Sequence, residues 1–244
     1  MSRSGLKDRA SLFDRRDFCK AGVATALAVA GATLGSVSAH ADLTKEQRDK
    51  LTPDEIIQQM KAGNQRFRSG KPQHRDLMSE ARATAKGQYP AAIVLSCIDS
   101  RAPVELILDF GIGFIFSGRM AGNVADIDML GSMEFACKVA GSKVVLVMGH
   151  TSCGAIKGAI DEAQLGNLTA LLAKIRPAVE ATHYTGERSA KNESFVDAVA
   201  RQNVSMTIAN IREKSPVLRE LESSNAVKIA GSMYNLETGM VEFL

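Results

Sequence analysis

Two short apolar runs constrain this chain more than anything else in it. Residues 91–95 (Ala-Ala-Ile-Val-Leu) and 144–148 (Val-Val-Leu-Val-Met) are continuous rather than alternating, and each is bounded by Pro90, Gly149 or polar residues. Runs of that length with no polar face belong to strands covered on both sides, which means a parallel sheet between layers of helix. The expected fold class is therefore α/β, with a mostly parallel central sheet flanked by helices. Near the carboxyl end, alternating Val227, Ile229 and Met233 are followed by a Gly-containing turn at 236–239 and a last apolar stretch at 240–243. That pattern predicts an edge strand or hairpin closing the sheet.

The intervening segments read mainly as helices. Thr52-Pro53-Asp54-Glu55 has an N-cap, a first-turn proline and a capping-box glutamate, so a helix is predicted over 53–68. Further helices are expected at 76–86, 103–109, 127–140, 155–164, 168–181 and 194–214, a strand at 114–117, and the second apolar run is expected as a strand over 143–148. In the 127–140 helix, Met129, Leu130, Met133, Phe135, Cys137 and Val139 are expected mostly inward. Residues 185–193 read as a polar linker.

The amino end has a different character. Arg15-Arg16-Asp17-Phe18-Cys19-Lys20 precedes a moderately apolar, Ala- and Gly-rich run over 21–37, and Ala39-His40-Ala41 is a small-residue cleavage site. The paired arginines resemble a twin-arginine leader. Residues 1–41 are thus read as an export signal and 42–244 as the mature domain, periplasmic or secreted. The run is short for a membrane anchor and poor in Leu, and no other stretch approaches spanning length, so no membrane association is expected after cleavage. Six of the 30 basic and three of the 27 acidic residues lie in 1–41, which leaves 24 of each. A near-neutral mature chain gives no support to nucleic-acid binding.

Ligands of parallel sheets bind beyond the carboxyl ends of the strands. Cys97 follows the first run, and His150 and Cys153 follow the second. Two thiolates and one imidazole form a set that leaves zinc a fourth position, as in catalytic sites. A Cys97–Cys153 disulfide is the alternative in an exported chain, but it leaves His150 and Asp99 without a role. Cys137, within an apolar helical pattern, reads as core. Asp99 can either bind the zinc and close the site, or pair with Arg101 and accept a hydrogen bond from a zinc-bound water. In the second state zinc lowers the pKa of that water to about 7, so hydroxide is available near neutral pH. Gln88, at the entrance to the first strand, reads from its surroundings alone as a solvated loop residue.

Three stretches, Cys97-Ile98-Asp99-Ser100-Arg101, Arg119-Met120-Ala121-Gly122-Asn123 and His150-Thr151-Ser152-Cys153-Gly154, resemble the signatures of the β-class carbonic anhydrases. The resemblance extends from about Thr52 to the carboxyl end, including Gly87-Gln88 and Glu237-Thr238-Gly239. It implies reversible hydration of carbon dioxide to bicarbonate and a proton by zinc-bound hydroxide, with one Zn2+ per subunit, in a homodimer or higher even-numbered homo-oligomer. By that match Cys97, His150 and Cys153 are the zinc ligands, joined by Asp99 in a closed state, and Asp99 and Arg101 are the catalytic dyad. Gln88 becomes a substrate hydrogen-bonding residue supplied across a dimer interface, and Phe116 and Ala121 line the apolar carbon dioxide pocket. Carbonyl sulfide or carbon disulfide hydrolysis on the same scaffold is the chemical alternative. A non-enzymatic zinc-binding module is the alternative from another class. The chain departs from the family pattern at Phe114, where an acidic residue is usual, at Phe135, where Tyr is common, and in having no Trp for the inhibitory bicarbonate site of some members.

Overall fold

The computed structural model describes residues 43–244; the expected export signal, residues 1–41, lies outside them. A five-stranded sheet runs in the order β2-β1-β3-β4-β5, with β1 at Ala92–Ser96, β2 at Ile115–Arg119, β3 at Val144–His150, β4 at Lys228–Tyr234 and β5 at Val241–Phe243. The first four strands pair in parallel. β5 returns antiparallel to β4, with Tyr234 opposite Val241. The α/β class and the closing hairpin are both as the sequence implies.

The two apolar runs form the middle of the sheet, and side-chain alternation explains why neither has a polar face. Ile93, Leu95, Val145 and Val147 point into one core, while Ala92, Val94, Val144, Leu146 and Met148 point into the other. The first layer is covered chiefly by α9 (Glu193–Lys214), whose buried stripe includes Phe195, Val196, Val199, Ala200 and Val204. The second is covered by α2 (Pro53–Arg68) through Ile56, Ile57 and Met60. α2 starts where its capping pattern predicts, with Thr52 and Glu55 closing the capping box.

Several boundaries differ from expectation. α1 (Lys45–Lys50) precedes α2, with its own capping box from Thr44 and Gln47. α3 is limited to Leu77–Thr84 and α4 to a single turn, Val104–Ile107. The expected 127–140 helix is α5 (Ile127–Glu134) continued by a π-helical turn, Phe135–Val139. There Phe135 and Val139 are 53% and 72% exposed rather than inward. The wider turn shifts the period of everything after Glu134, so a 3.6-residue pattern assigns these two side chains to the wrong face. Strand β3 continues through Gly149 into His150, two residues beyond expectation. α6 covers Gly154–Ile160. The expected 168–181 helix is split into α7 (Gly166–Ala173) and α8 (Arg176–Ala181), because Pro177 fits only in a first turn. α10 (Pro216–Ser223) follows α9 directly, capped by Ser215. No helix among the described residues is long and apolar enough to cross a membrane.

Candidate metal centre

The chain leaves β1 toward β2 on one side and leaves β3 toward β4 on the other. The crevice at the carboxyl ends of β1 and β3 is therefore the topological switch point, where open α/β sheets bind their ligands. Ser96 stands opposite Met148 in the register. One residue on, Cys97 leaves β1; His150 closes β3, and Cys153 precedes α6.

These three side chains are buried, and their ligand atoms all lie within 4.8 Å of one another. The two sulfurs are 4.0 Å apart, far beyond the roughly 2.05 Å of a disulfide. The separation is close to the roughly 3.8 Å expected of two sulfurs that each sit about 2.3 Å from one tetrahedral ion. Cys97, Cys137 and Cys153 are all free. His150 Nδ1 lies 2.9 Å from the Thr151 carbonyl oxygen, which can only accept. The proton is thereby placed on Nδ1, and the buried Nε2, which has no hydrogen-bond partner, keeps its lone pair. Two sulfurs and an unpartnered imidazole nitrogen are a donor set that fits zinc.

Electrostatics in the cluster favour one thiolate. The Cys153 thiol donates toward Cys97, and together with His150 and the Gly122 N–H, which lies 3.4 Å from the sulfur, it brings Cys97 down to about 4 against the opposing effect of burial. The same contact, reinforced by burial, pushes Cys153 up. Burial pulls His150 down, but Cys97, the Thr151 carbonyl and Asp99 together outweigh it and the net direction is upward. Cys137, in the π turn, is pushed up to about 12 by burial alone, as a core thiol should be.

Asp99 stands beside the three rather than among them. Arg101 donates to it from its backbone N–H (2.9 Å) and from Nε (3.0 Å) to Oδ1, and from Nη2 to Oδ2 (2.8 Å). Hydrogen bonding to Arg101 lowers the Asp99 carboxyl to about 2. Its Oδ2 remains 3.9 Å from His150 Nε2. Arg119 clamps the same loop, donating from Nε to the Cys97 carbonyl at 3.0 Å and from Nη2 to the Asp99 carbonyl at 2.5 Å. In the sequence Arg119 stands out only as part of a signature stretch, because it grips backbone carbonyls and no reacting group that spacing reveals.

The His150 turn is fixed from two sides. Ser152 adopts φ 53°, and its N–H donates to Asp197 Oδ1 of α9 at 3.0 Å. The Thr151 N–H donates to the Tyr234 carbonyl (3.0 Å) and its hydroxyl accepts from the Leu236 N–H (3.0 Å), tying the turn to the β4–β5 hairpin. No sequence pattern marks Asp197.

Comparison with known proteins agrees with the three signature stretches. The carbonic anhydrase family profile matches residues 92–241. Carbonic anhydrase 2 of Mycobacterium tuberculosis is 34% identical over 186 residues, covering 74% of this chain and 87% of the relative. The chain belongs to the β-class carbonic anhydrase family. The carbonic anhydrase of Mycolicibacterium smegmatis is likewise 34% identical, over 75% of this chain and 89% of its own. Among solved structures, the β-carbonic anhydrase CafA of Aspergillus fumigatus superposes with a TM-score of 0.61 at 22% identity, covering 78% of this chain and 89% of that one. A tetrameric β-carbonic anhydrase of Sordaria macrospora gives 0.59 at 23%, covering 68% and 90%. At those identities the two structures bear on the fold alone.

Among the residues expected to bind substrate, Gln88 is not brought to the cluster within its own chain. Gln88 is exposed in the loop before β1, at the amino end of the strand whose carboxyl end carries Cys97. Five strand residues at about 3.3 Å each separate those ends, so Gln88 does not reach the cluster of its own chain. Phe116 lies on β2 beside Ile93 and meets Phe135 edge-on, with ring centroids 6.3 Å apart. Both line a groove of about 660 Å³ along the open edge of the sheet, together with Gly118 and Arg119. Ala121 is half-buried in the turn that begins the Ala121–Asn123 segment. Phe114, at the position where the resemblance leads one to expect an acid, stacks on Phe110 at 4.2 Å and packs on the α2 side of the sheet; its phenyl ring carries no proton-transfer group.

Proposed function

We propose that this enzyme interconverts carbon dioxide and bicarbonate, with one zinc ion per subunit held by Cys97, His150 and Cys153. The observation that carries the reading is the division of labour between three converging donors and a neighbouring carboxylate held away from them by Arg101. A zinc ion in such a donor set supplies Lewis acidity that brings the pKa of water to about 7, making a nucleophile at neutral pH. The chain's own part is to hold the three donors together and to keep Asp99 apart from them. Asp99, ionised under the hold of Arg101, presents an acceptor 3.9 Å from His150 Nε2, where it orients an O–H and its lone pair toward substrate. Phe116 and Ala121 provide apolar surface for a substrate with no charge to grip.

The side-chain amide that hydrogen-bonds substrate is supplied by Gln88 of a second copy, since Gln88 stands at the far end of β1 in its own chain. The open β2 edge supports a homodimer or a higher even assembly. Ile127 and Phe135, which line the groove beside it, expose 82% and 53% of their surface, apolar surface of the kind that marks an interface. Export through residues 1–41 is also part of this reading. A twin-arginine route carries folded protein, so zinc can be inserted before the cysteines meet an oxidising compartment. Detection of a mature amino terminus at Asp42 in the periplasmic fraction is the expected result, and a full-length cytoplasmic chain contradicts it.

The deciding experiment is stopped-flow hydration of carbon dioxide across pH, with zinc content measured on the same sample and rates on carbonyl sulfide and carbon disulfide alongside. Zinc-dependent hydration that rises with pH near neutrality and exceeds both sulfur substrates supports the assignment. One equivalent of zinc with no hydration of any substrate indicates the non-enzymatic alternative.

A further inference from the structure

Helix α9 fills the core, but three polar side chains on it reach the loops at the carboxyl edge of the sheet. One of them leads to a metal-binding sulfur through a single intervening residue. Asn203 is 3% exposed in the middle of α9, and its Nδ2 donates to the Gly122 carbonyl oxygen at 2.8 Å. Gly122 in turn presents its N–H to Cys97 Sγ at 3.4 Å. Its φ is +64°, and a Cβ there would stand 2.5 Å from Ile175 Cδ1. The residue is thus held in a left-handed conformation, with its carbonyl turned to the helix and its amide to the thiolate. Two turns further along the same face of α9, Asn210 Nδ2 donates to the Ala125 carbonyl at 3.0 Å. That second clip holds the same loop but does not touch the residue facing Cys97.

We propose that Asn203 is a positioning residue of the metal centre, acting on Cys97 through Gly122. An N–H aimed at a metal-bound sulfur withdraws charge from it and fixes its lone-pair direction, and such outer contacts tune both affinity and electronics of the ion. Asn203 sets where that N–H points. The buried amide is suited to this because a glycine, with its wide conformational range, needs a partner to hold one orientation. The proposal rests on the zinc reading above, and its test separates the two.

Asn203→Leu keeps roughly the size but has no hydrogen-bond donor; Asn203→Ala removes the group. Asn210→Ala removes the neighbouring clip and serves as the comparison. Each protein is loaded with zinc, and the rate of metal release into excess chelator is measured; each is also loaded with cobalt and its sulfur-to-metal charge-transfer absorption recorded. The expected result is metal affinity weakened about 10- to 100-fold in both Asn203 variants, visible as faster release and a shifted cobalt band, with Asn210→Ala matching wild type. Folded Asn203 variants that release zinc and absorb as wild type overturn the proposal, as does an Asn210→Ala variant that changes both readouts equally. If neither Asn203 variant folds, the conservative Asn203→Gln loaded with cadmium decides: a changed NMR coupling between the metal and the Gly122 amide proton, relative to wild type, supports the proposal, and an unchanged coupling overturns it. A wild type that takes up no zinc at all overturns the metal reading itself and this proposal with it, whereas zinc-loaded wild type with indistinguishable variants overturns this proposal alone.

Discussion

Arg101 occupies both carboxylate oxygens of Asp99, with side-chain contacts of 3.0 and 2.8 Å and a backbone N–H at 2.9 Å. Two residues apart in sequence, they form a closed unit whose carboxylate is unavailable for any other bidentate partner. Replacing Arg101 with Ala frees Asp99 to turn toward the three donors. The expected outcome is a zinc-loaded protein with carbon dioxide hydration reduced about 10- to 100-fold, read by stopped-flow assay beside a metal determination. Full activity in that variant would show that Arg101 is not what keeps Asp99 off the three donors.

The same pair has a pH signature. Asp99 is depressed to about 2 from an ordinary 3.8. A carboxyl lowered by folding contributes stability that is present above its unfolded pKa and lost as pH falls through its folded one. The hold should therefore be complete above 3.8 and fail as pH approaches about 2. NMR titration of the Asp99 carboxyl carbon checks this, and in Arg101→Ala the midpoint should rise.

Thiol chemistry should sort the three cysteines of the described residues into two groups. In zinc-loaded native protein none of Cys97, Cys137 and Cys153 is expected to react with an alkylating reagent at mildly alkaline pH. Chelation should expose Cys97 first, since its thiolate is the favoured form. Cys137, buried and raised to about 12, should react only on unfolding. Mass spectrometry of the labelled peptides distinguishes these outcomes. Cys97→Ser should lose both metal and activity.

Gly122→Ala tests the left-handed turn. Its φ of +64° and the 2.5 Å approach of Ile175 predict a loss of about 1–3 kcal/mol. Urea denaturation measures it, and an unchanged midpoint would show that the loop can relax.

The open edge of the sheet gives a test of assembly. Phe135→Asp places a charge in the groove shared with Phe116 without touching the three donors. Light scattering is expected to show a smaller species than wild type. If Gln88 is supplied by a second copy, hydration falls with dissociation while zinc content does not.

The centre of this protein is legible because its chemistry and its fold use the same residues. Residues 91–95 and 144–148 read as doubly covered strands, and the polar segments at their carboxyl ends must then meet at one edge, so Cys97, His150 and Cys153 are found together. Elsewhere the code is weaker. Apolar spacing places Phe135 and Val139 inward because a π turn leaves no mark in it. Pro177 does mark the break between α7 and α8, but the apolar pattern around it runs on as if the helix were continuous. Gln88 can be recognised only by resemblance, and the single chain leaves it remote from the site. Arg119, Asp197 and Asn203 act on backbone groups of distant loops, and a side chain that grips a carbonyl or an amide has no required spacing to the residue it serves.

The parallel pairing of β1 with β3 has a kinetic consequence. Cys97 and Cys153 are 56 residues apart in the chain, and nothing local brings them near one another. Nonlocal parallel strands pair late and slowly compared with helices. An ion that needs both sulfurs and His150 therefore meets its full donor set only after the middle of the sheet has formed. Once bound it closes a long loop, which penalises the unfolded chain more than a short one would. Metal uptake followed during refolding should lag behind helix formation and coincide with burial of the central strands, so that zinc acts as a latch on a finished sheet rather than as the nucleus of an unfinished one.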